Sequence, residues 1–323
     1  MSVPKVLTVG TGAIGSIYSW RLSESCQVTT VCRSNYETVR DHGFEIESVK
    51  FGNGIFRPHN VVRSVADALQ YGPFDYLLVT LKALPDIYSV PDIIAPAVAE
   101  GHTCIVLIQN GLGIEQPIVD RFPNNPLVSA VAYIGTSQVS PGQIKMRAAE
   151  QLLLGTYPGC KVDSEPARAK LIEKFEKGDV NAFPVDDIVQ IRWEKLFWNG
   201  SFNPVCALLH MDTTQVINNE VALDLVKRLM REIMTAAGKA VGQEYDIHER
   251  TQQLIETTVT GASHYKPSMQ LDLEREQPME VQVILGNAVQ WAKQHGVPVP
   301  TLEFVYDMCR AVNLQNVGKK SQL

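Results

Sequence analysis

Six residues near the start of the chain, Gly10-Thr11-Gly12-Ala13-Ile14-Gly15, follow directly on an apolar run, Lys5–Val9. The apolar run predicts a buried strand, and residues 16–22 after the glycines have the pattern of a helix. Between a strand and a helix, the first glycine permits a tight turn and the second lets the backbone approach an anion. The third allows the helix and the strand to pack closely. The start of the chain is therefore predicted to form the first unit of a parallel α/β sheet.

The same motif predicts a dinucleotide site, because the N-terminus of the following helix presents N–H groups to a pyrophosphate. A second predicted strand, Gln27–Cys32, ends at Arg33, with Ser34 and Asn35 next in sequence. An NAD site would place Asp or Glu there to hold the ribose 2′-hydroxyl, whereas a guanidinium suits a 2′-phosphate. NADP is therefore favoured over NAD. The alternatives are a glycine-rich turn without a ligand and an arginine that only faces solvent.

Two later apolar strands also lead into polar residues. Phe74–Leu81 ends at Lys82, and Thr103–Ile108 leads into Gln109-Asn110-Gly111. Ligands bind outside the carboxyl ends of the strands in open α/β sheets, so Lys82 and Asn110 are candidate binding residues. Alternatively, Lys82 is a solvated charge at a strand end, and Asn110-Gly111 is only a turn dipeptide.

The strand patterns stop near residue 187. With 323 residues, the chain is too long for one typical core and fits two domains. Apolar runs of strand length alternate with helical patterns before this point, and only helical periodicity follows it. We therefore expect an α/β protein, with a Rossmann-type doubly wound sheet in residues 1–187 and an all-helical domain in residues 188–323.

Lys195, Asn199 and Asn203 recur at every fourth position of a stretch that is otherwise rich in large apolar side chains. On a helix this spacing places them along one stripe, and a helix that is apolar nearly all round is buried. Buried amines and amides need partners. The three residues therefore either pin neighbouring helices in a polar network or bind a small polar ligand. Pro204 is predicted to kink or end this helix beside Asn203.

The helical half contains two further candidate residues. Ser268 follows a loop and is a plausible helix N-cap. Glu280 follows Pro278 and is expected in the first turn of the next helix, where a carboxylate suits the helix dipole. Each residue thus has a structural interpretation beside a functional one. A last helix is expected at residues 301–313, followed by a frayed polar end at 314–323.

Composition excludes several classes of function. The net charge is −6 and the basic residues form no run, so no nucleic-acid partner is expected. The six cysteines are scattered without a C-x-x-C pair, and the seven histidines form no ligand set. We therefore expect reduced thiols, no metal and a cytoplasmic location. No apolar run reaches the roughly 18 residues of a membrane span, and the N-terminus has no room for a signal peptide, so no membrane partner is expected. The sequence neither predicts nor excludes a homodimer.

Taken in order, these motifs resemble the ketopantoate reductase (2-dehydropantoate 2-reductase) family over nearly the whole chain. The glycine motif is common to many Rossmann enzymes. More specific is the pattern Lys195-x₃-Asn199-x₃-Asn203-Pro204, combined with Ser268-Met269-x₂-Asp272 and with Glu280 twelve residues after Ser268.

The resemblance implies an oxidoreductase that uses NADPH to reduce ketopantoate, a 2-keto acid, to pantoate in pantothenate biosynthesis. Lys195 would be the general acid, and Glu280 would fix Lys195, so both are catalytic candidates. The substrate-binding residues would be Asn110, Asn199, Asn203 and Ser268. The cofactor-binding residues would be Gly10, Thr11, Gly12, Ala13, Ile14, Gly15, Arg33, Lys82 and Asn110.

Three other functions stay open. The segments around Ser268 and Glu280 differ from those usual in the family, so a reductase of another 2-keto or 3-keto acid would have a similar sequence. A 3-hydroxyacid or opine dehydrogenase is a second alternative. The third is a non-catalytic NADP-binding sensor, which predicts a degraded site in the helical half, where Lys195 is instead present.

Overall fold

The computed structural model describes residues 3–261 and 264–320, with side chains as far as residue 316. The chain divides into two compact units. The first comprises residues 1–82, 89–109 and 114–188. The second comprises residues 83–88, 110–113 and 189–323, so it takes in two short segments that follow strands of the first half in sequence.

In its described residues the first unit forms one ten-stranded mixed sheet. The strands are β1 Lys5–Val9, β2 Gln27–Val31, β3 Phe44–Ser48, β4 Gly54–Phe56, β5 Asn60–Val62, β6 Tyr76–Val79, β7 Cys104–Leu107, β8 Leu127–Ser140, β9 Gln143–Thr156 and β10 Ala182–Pro184. The residues of β6 and β7 are buried along both whole strands, as expected for central strands of a parallel sheet.

The strand order is β4-β3-β9-β8-β7-β6-β1-β2-β5, and β10 pairs with β9. From β5 to β8 every neighbouring pair is parallel. This is the order of a Rossmann sheet, and the order of connection reverses between β1 and β6. The antiparallel β8–β9 pair then extends the sheet toward the β3–β4 hairpin. The predicted Rossmann-type fold is confirmed.

The helices of the first unit connect these strands. They are α1 Ala13–Leu22, α2 Tyr36–His42, α3 Val65–Ala68, α4 Val90–Ile94, α5 Gln116–Arg121 and α6 Glu165–Lys177, with short 3-10 turns at Leu69–Tyr71 and Ala95–Ala97. Helix α1 begins at Ala13, three residues earlier than its sequence pattern predicted. Since the glycine at position 12 is the residue before the helix, the helix N-terminus lies inside the glycine motif.

The second unit is helical throughout its described residues, as predicted. Its helices are α7 Ile188–Leu209, α8 Thr213–Ile217, α9 Glu220–Val241, α10 Ile247–Gly261, α11 Ser268–Glu274, a π-helical turn at Gln282–Gly286, α12 Asn287–Gln294 and α13 Pro300–Lys320. In residues 3–261 and 264–320, no helix is both long enough and apolar enough to cross a bilayer.

The apolar pattern around Lys195 predicts a helix over residues 189–209, and α7 spans Ile188–Leu209. Of the two effects predicted for Pro204, an end of the helix beside Asn203 is not observed, because Val205, Cys206 and Ala207 are buried and their packing outweighs the donor that proline lacks. Helix α13 extends to Lys320, where the sequence had suggested a frayed end from residue 314. The expectation for residues 321–323 lies outside the described residues.

Aromatic side chains fix α7 within the helical unit. Trp193 meets the ring of Trp291 on α12 edge-on, with centroids 5.6 Å apart, and Phe197 meets Tyr245 in the same way at 5.0 Å. The Trp198 indole donates to Thr258 Oγ1 on α10 at 2.9 Å. This packing holds the helix that carries Lys195, Asn199 and Asn203.

Candidate active site

The three glycines of the motif differ in what surrounds them. Gly10 has φ +104°, and a Cβ there would lie 2.2 Å from the Leu81 nitrogen; a Cβ at Gly15 would lie 2.4 Å from the Gly10 carbonyl oxygen. These two glycines are required by contacts within the protein. Among the described residues, no atom outside the adjoining backbone lies within 4 Å of the place a Gly12 Cβ would take. The open space at Gly12 beside the start of α1 therefore fits the close approach of a pyrophosphate.

The loop is held by its neighbours. Thr11 is buried, and its hydroxyl donates to the Val31 carbonyl oxygen at 2.8 Å. The Asn35 amide donates to the Thr11 carbonyl oxygen at 2.9 Å. Asn35 therefore acts on the shape of the loop, although its place in sequence had grouped it with the residues near a ribose. Ala13 and Ile14 supply the first N–H groups of α1.

The two basic residues predicted to bind the cofactor follow β2 and β6, respectively. Arg33 is exposed, and its guanidinium makes no hydrogen bond or ion pair with the described residues. Lys82 is partly exposed and closes the first segment of the first unit. Between β6 and β7, the Gln109 amide donates to the Leu81 carbonyl oxygen at 2.7 Å and ties the two strand ends together.

In the second unit, Asn110 links two ionisable groups from distant parts of the chain. Lys195 Nζ on α7 donates to Asn110 Oδ1 at 2.9 Å, and Asn110 Nδ2 donates to Glu280 Oε2 at 3.3 Å. The other oxygen of Glu280 accepts the Ala83 backbone N–H at 2.9 Å. Each donor is matched to an acceptor, so the Lys195 amine, the Asn110 amide and the Glu280 carboxylate form one continuous chain of hydrogen bonds in that order.

The amine of Lys195 titrates far below its ordinary range. Burial and, to a smaller extent, the Arg192 guanidinium lower the pKa of Lys195 from 10.5 to about 7, while Glu280 opposes both. Desolvation disfavours the charged amine, and a like charge one helical turn away adds to that effect. At neutral pH the amine therefore exchanges a proton readily, as a general acid requires.

The three other predicted substrate residues are in different environments. Asn203 is 1 % exposed, and its Oδ1 has no hydrogen-bond partner among the described residues. An unsatisfied buried carbonyl oxygen costs about 1–3 kcal/mol, so it points to an absent donor. Asn199 is partly exposed. Ser268 is also partly exposed and is the first residue of α11, so Pro267, and not Ser268 as expected, is the N-cap.

Glu280 lies one residue ahead of its predicted place in the first helical turn. The helical stretch begins at Val281, and the Glu280 carbonyl oxygen accepts the Ile284 N–H at 3.1 Å, so Glu280 is at the N-cap position. The residue is 5 % exposed. Its carboxylate accepts from the Ala83 backbone N–H and from the Asn110 amide, so it has specific hydrogen-bond donors besides the favourable end of the helix.

Sequence patterns missed two contributors to this site. The Ala83 backbone N–H carries no signal in the sequence. Arg192 was detectable, because it is a charged residue one turn before Lys195 on a helix that is otherwise apolar. It is 3 % exposed and donates to the Gly111 carbonyl oxygen at 3.1 Å.

Comparison with known proteins identifies the family to which this chain is similar. Residues 6–159 match the family described as ketopantoate reductase PanE/ApbA, and residues 187–313 match its C-terminal region. A crystal structure of 2-dehydropantoate 2-reductase from Methylococcus capsulatus is 34 % identical, covers 97 % of both chains and superposes with a TM-score of 0.83. An uncharacterised protein of Saccharomyces cerevisiae is 29 % identical over 99 % of this chain and 96 % of its own.

D-mandelate dehydrogenase, solved with NADH and anilino(oxo)acetate, has the same fold at 19 % identity, with a TM-score of 0.84 over 97 % of this chain and 99 % of its own. Both halves of the present chain match one family, and a solved member is similar over almost the full length. The chain therefore belongs to the ketopantoate reductase family of oxidoreductases.

Proposed function

We propose that this protein reduces ketopantoate to pantoate with NADPH and that Lys195 is the general acid. The observation that carries the proposal is the chain of hydrogen bonds from Lys195 through Asn110 to Glu280. The open space at Gly12 supports a dinucleotide cofactor. When bound, the cofactor supplies a hydride to the keto carbon.

The protein's own groups would manage the charge that reduction creates. Negative charge develops on the keto oxygen, and a protonated Lys195 stabilises it and then transfers its proton. Asn110 holds the amine by its Oδ1, so the proton donor has a fixed direction. Glu280 keeps the protonated form of Lys195 populated, because its charge opposes the effect of burial on the pKa.

The unpartnered oxygen of Asn203 supports ketopantoate over simpler keto acids. Ketopantoate carries a hydroxyl, which is its only hydrogen-bond donor at neutral pH. The keto group and the carboxylate only accept, so they cannot satisfy Asn203 Oδ1. Sites built to bind a substrate hydroxyl reject the analogue that lacks it strongly, because their buried polar group is left unpaired.

The test is NADPH oxidation, followed by absorbance, with ketopantoate beside trimethylpyruvate, which has the same carbon skeleton without the hydroxyl. We expect kcat/KM for ketopantoate to be higher by roughly 10²-fold or more. The Asn203→Leu variant should reduce that ratio mainly by slowing ketopantoate. Equal rates for both substrates in the wild-type protein would remove the hydroxyl argument and favour another keto acid.

Arg33 is proposed to select NADPH by meeting its 2′-phosphate. The Arg33→Asp variant should raise the Kd for NADPH roughly 10–100-fold, since a hydrogen bond to a charged group is worth about 1.5–3 kcal/mol. The Kd for NADH should change much less. Fluorescence titration with both cofactors checks this, and Arg57→Asp is the matched control on another exposed arginine. An equal loss for both cofactors would contradict the assignment.

Glu280 is proposed to sustain the protonated form of Lys195. Because the Glu280 charge raises the pKa of Lys195, the Glu280→Gln variant should lower it. If the protonated amine is required, activity is lost as pH rises through that pKa. The basic limb of kcat/KM should therefore move to lower pH by about one unit. Glu303→Gln on α13 serves as the control, and an unmoved limb in Glu280→Gln would exclude this role.

The cellular compartment and the metabolic role of the protein can also be proposed. All six cysteines are free thiols and five are buried, which is consistent with a reducing compartment such as the cytoplasm. Turnover of ketopantoate would place the enzyme in pantothenate biosynthesis. NADPH binding with no turnover of any keto acid would favour the non-catalytic sensor instead.

A further inference from the structure

Segment 110–113, Asn110-Gly111-Leu112-Gly113, has no regular secondary structure of its own, although it supplies the amide that links Lys195 to Glu280. Gly111 has φ +94° and Gly113 has φ +70°. A loop of this kind does not fix a side chain by its own hydrogen bonds. The backbone that carries the Asn110 amide is therefore held in place by the groups of other elements that bind it.

Three consecutive backbone groups of this segment are bound by the helical unit. The Gly111 carbonyl oxygen accepts from Arg192 at 3.1 Å, and the Leu112 N–H donates to the Val283 carbonyl oxygen at 2.9 Å. The Leu112 carbonyl oxygen accepts from Asn287 Nδ2 at 2.6 Å. The loop is thus held from α7 on one side and from the π-helical turn and α12 on the other.

The two side chains that hold the loop are themselves fixed. Arg192 is 3 % exposed, and a buried guanidinium is costly unless it is hydrogen-bonded. Asn287 Oδ1 accepts from Gln282 Nε2 at 2.9 Å, so the amide that binds Leu112 cannot rotate freely. Gly111 packs so closely on Val283 that a Cβ there would lie 2.5 Å from the valine Cβ. The backbone of segment 110–113 therefore has one defined position.

We propose that Arg192 and Asn287 are positioning residues, which hold segment 110–113 so that the Asn110 amide lies between Lys195 and Glu280. This inference rests on the proposed function, since it assigns the two residues a purpose in catalysis. Neither residue reaches the reacting atoms through any contact described. Both residues act through the backbone of the loop and through Asn110, and Arg192 also acts on the Lys195 amine through its charge.

A double-mutant cycle tests the inference. Asn287→Ala should lower kcat roughly 10–100-fold, the cost of a displacement near 1 Å in a catalytic group, with the Kd for NADPH unchanged. In an Asn110→Ala background the same substitution should cost less than about twofold, because its route of action is already removed. Gln290→Ala, at an exposed position on the same helix, is the control.

A structural role alone gives a different result. If Asn287 only stabilises the fold, its substitution costs the same factor with or without Asn110, and the inference is overturned. An unchanged kcat in Asn287→Ala overturns it as well. Thermal unfolding of every variant, measured beside kcat, separates loss of folded protein from loss of position.

Arg192 gives a second readout, because it is charged. The charged groups that act on the Lys195 amine are Arg192 on the same helix and Glu280 ahead of the π-helical turn. Arg192→Met should lower kcat and also move the basic limb of kcat/KM to higher pH, opposite to the shift expected for Glu280→Gln. The exposed Arg228→Met variant on α9 is the control. A lower kcat with an unmoved limb would limit Arg192 to a structural role.

Chemical modification of Lys195 distinguishes a failure of the positioning from a failure of ketopantoate reduction. Trace acetylation with acetic anhydride, read by mass spectrometry of the peptide that contains Lys195, reports the pKa of that amine in any folded protein. If no keto acid is reduced but Arg192→Met still raises that pKa and Asn287→Ala changes the reactivity of Lys195, the positioning stands and ketopantoate reduction falls. If ketopantoate is reduced and neither variant alters kcat or Lys195 reactivity, the positioning falls alone.

Discussion

Replacing Lys195 with Met is expected to lower kcat by roughly 10²–10⁴-fold, the usual contribution of a general acid. The methionine keeps the unbranched stem in its place on α7, so the packing of the helix is retained. NADPH binding, measured by fluorescence titration, should stay within about twofold, because no group of Lys195 is needed by the glycine loop. Lys227→Met, at an exposed position of α9, should keep full activity.

The stability of the same variant should depend on pH in a defined direction. The pKa of Lys195 is about 7 in the folded protein and near 10.5 in the unfolded chain, so the unfolded state binds more protons between those values. Burial of this amine therefore costs stability most below pH about 7, and the cost fades toward pH 10.5. Lys195→Met should gain thermal stability relative to wild type at pH 6 more than at pH 10. A near-normal kcat in Lys195→Met would remove this residue from the mechanism.

The two outer residues of Gly10-Thr11-Gly12 should respond to alanine in opposite ways. Gly10→Ala places a Cβ 2.2 Å from the Leu81 nitrogen at a backbone φ of +104°, so both a clash and strain result. Strain of about 1–2 kcal/mol and overpacking of about 1–3 kcal/mol should together lower stability by roughly 2–5 kcal/mol. Thermal unfolding without cofactor measures this loss.

Gly12→Ala is the matched control for Gly10→Ala, because its Cβ would meet no atom within 4 Å in the part of the chain that the structure describes, apart from the adjoining backbone. Its stability without cofactor should stay within about 1 kcal/mol of wild type, the cost of a lost glycine cap. The methyl group would nevertheless occupy the space proposed for the pyrophosphate, so the Kd for NADPH should rise at least about tenfold. Unchanged NADPH affinity in a fully folded Gly12→Ala protein would contradict this placement of the cofactor.

Sequence patterns predicted the fold well, because its elements are set by local periodicity. The strands β1, β2, β6 and β7 are short apolar runs, and the helical patterns between them predict that these strands run parallel to one another. Element ends were predicted less well. The ends of α7 were predicted to within one residue, but α1 begins three residues earlier than predicted and α13 runs to Lys320, past the expected end at residue 313.

The candidate site was likewise predicted only in part. The four-residue spacing of Lys195, Asn199 and Asn203 identified them as one helical stripe, because residues four apart share a helix face. The stripe did not predict their different environments, in which Asn203 alone has an unpartnered buried oxygen. Ser268 is the first residue of α11, and Glu280 precedes the π-helical turn at Gln282–Gly286. The sequence did not predict these places, because contacts of the preceding loops with other elements determine where each helix begins.

By itself, the sequence determined the Rossmann-type half, the helical half and most of the side chains that can carry chemistry, because these depend on residue type and on spacing along one element. Only the tertiary structure decided that the Asn110 amide joins Lys195 to Glu280, that the Ala83 N–H binds the same carboxylate, and that the pKa of Lys195 falls to about 7. The two partners in each of these hydrogen bonds are at least 85 positions apart in sequence, so their distances depend on how the chain packs. Burial and the neighbouring Arg192 charge likewise act only in the folded chain.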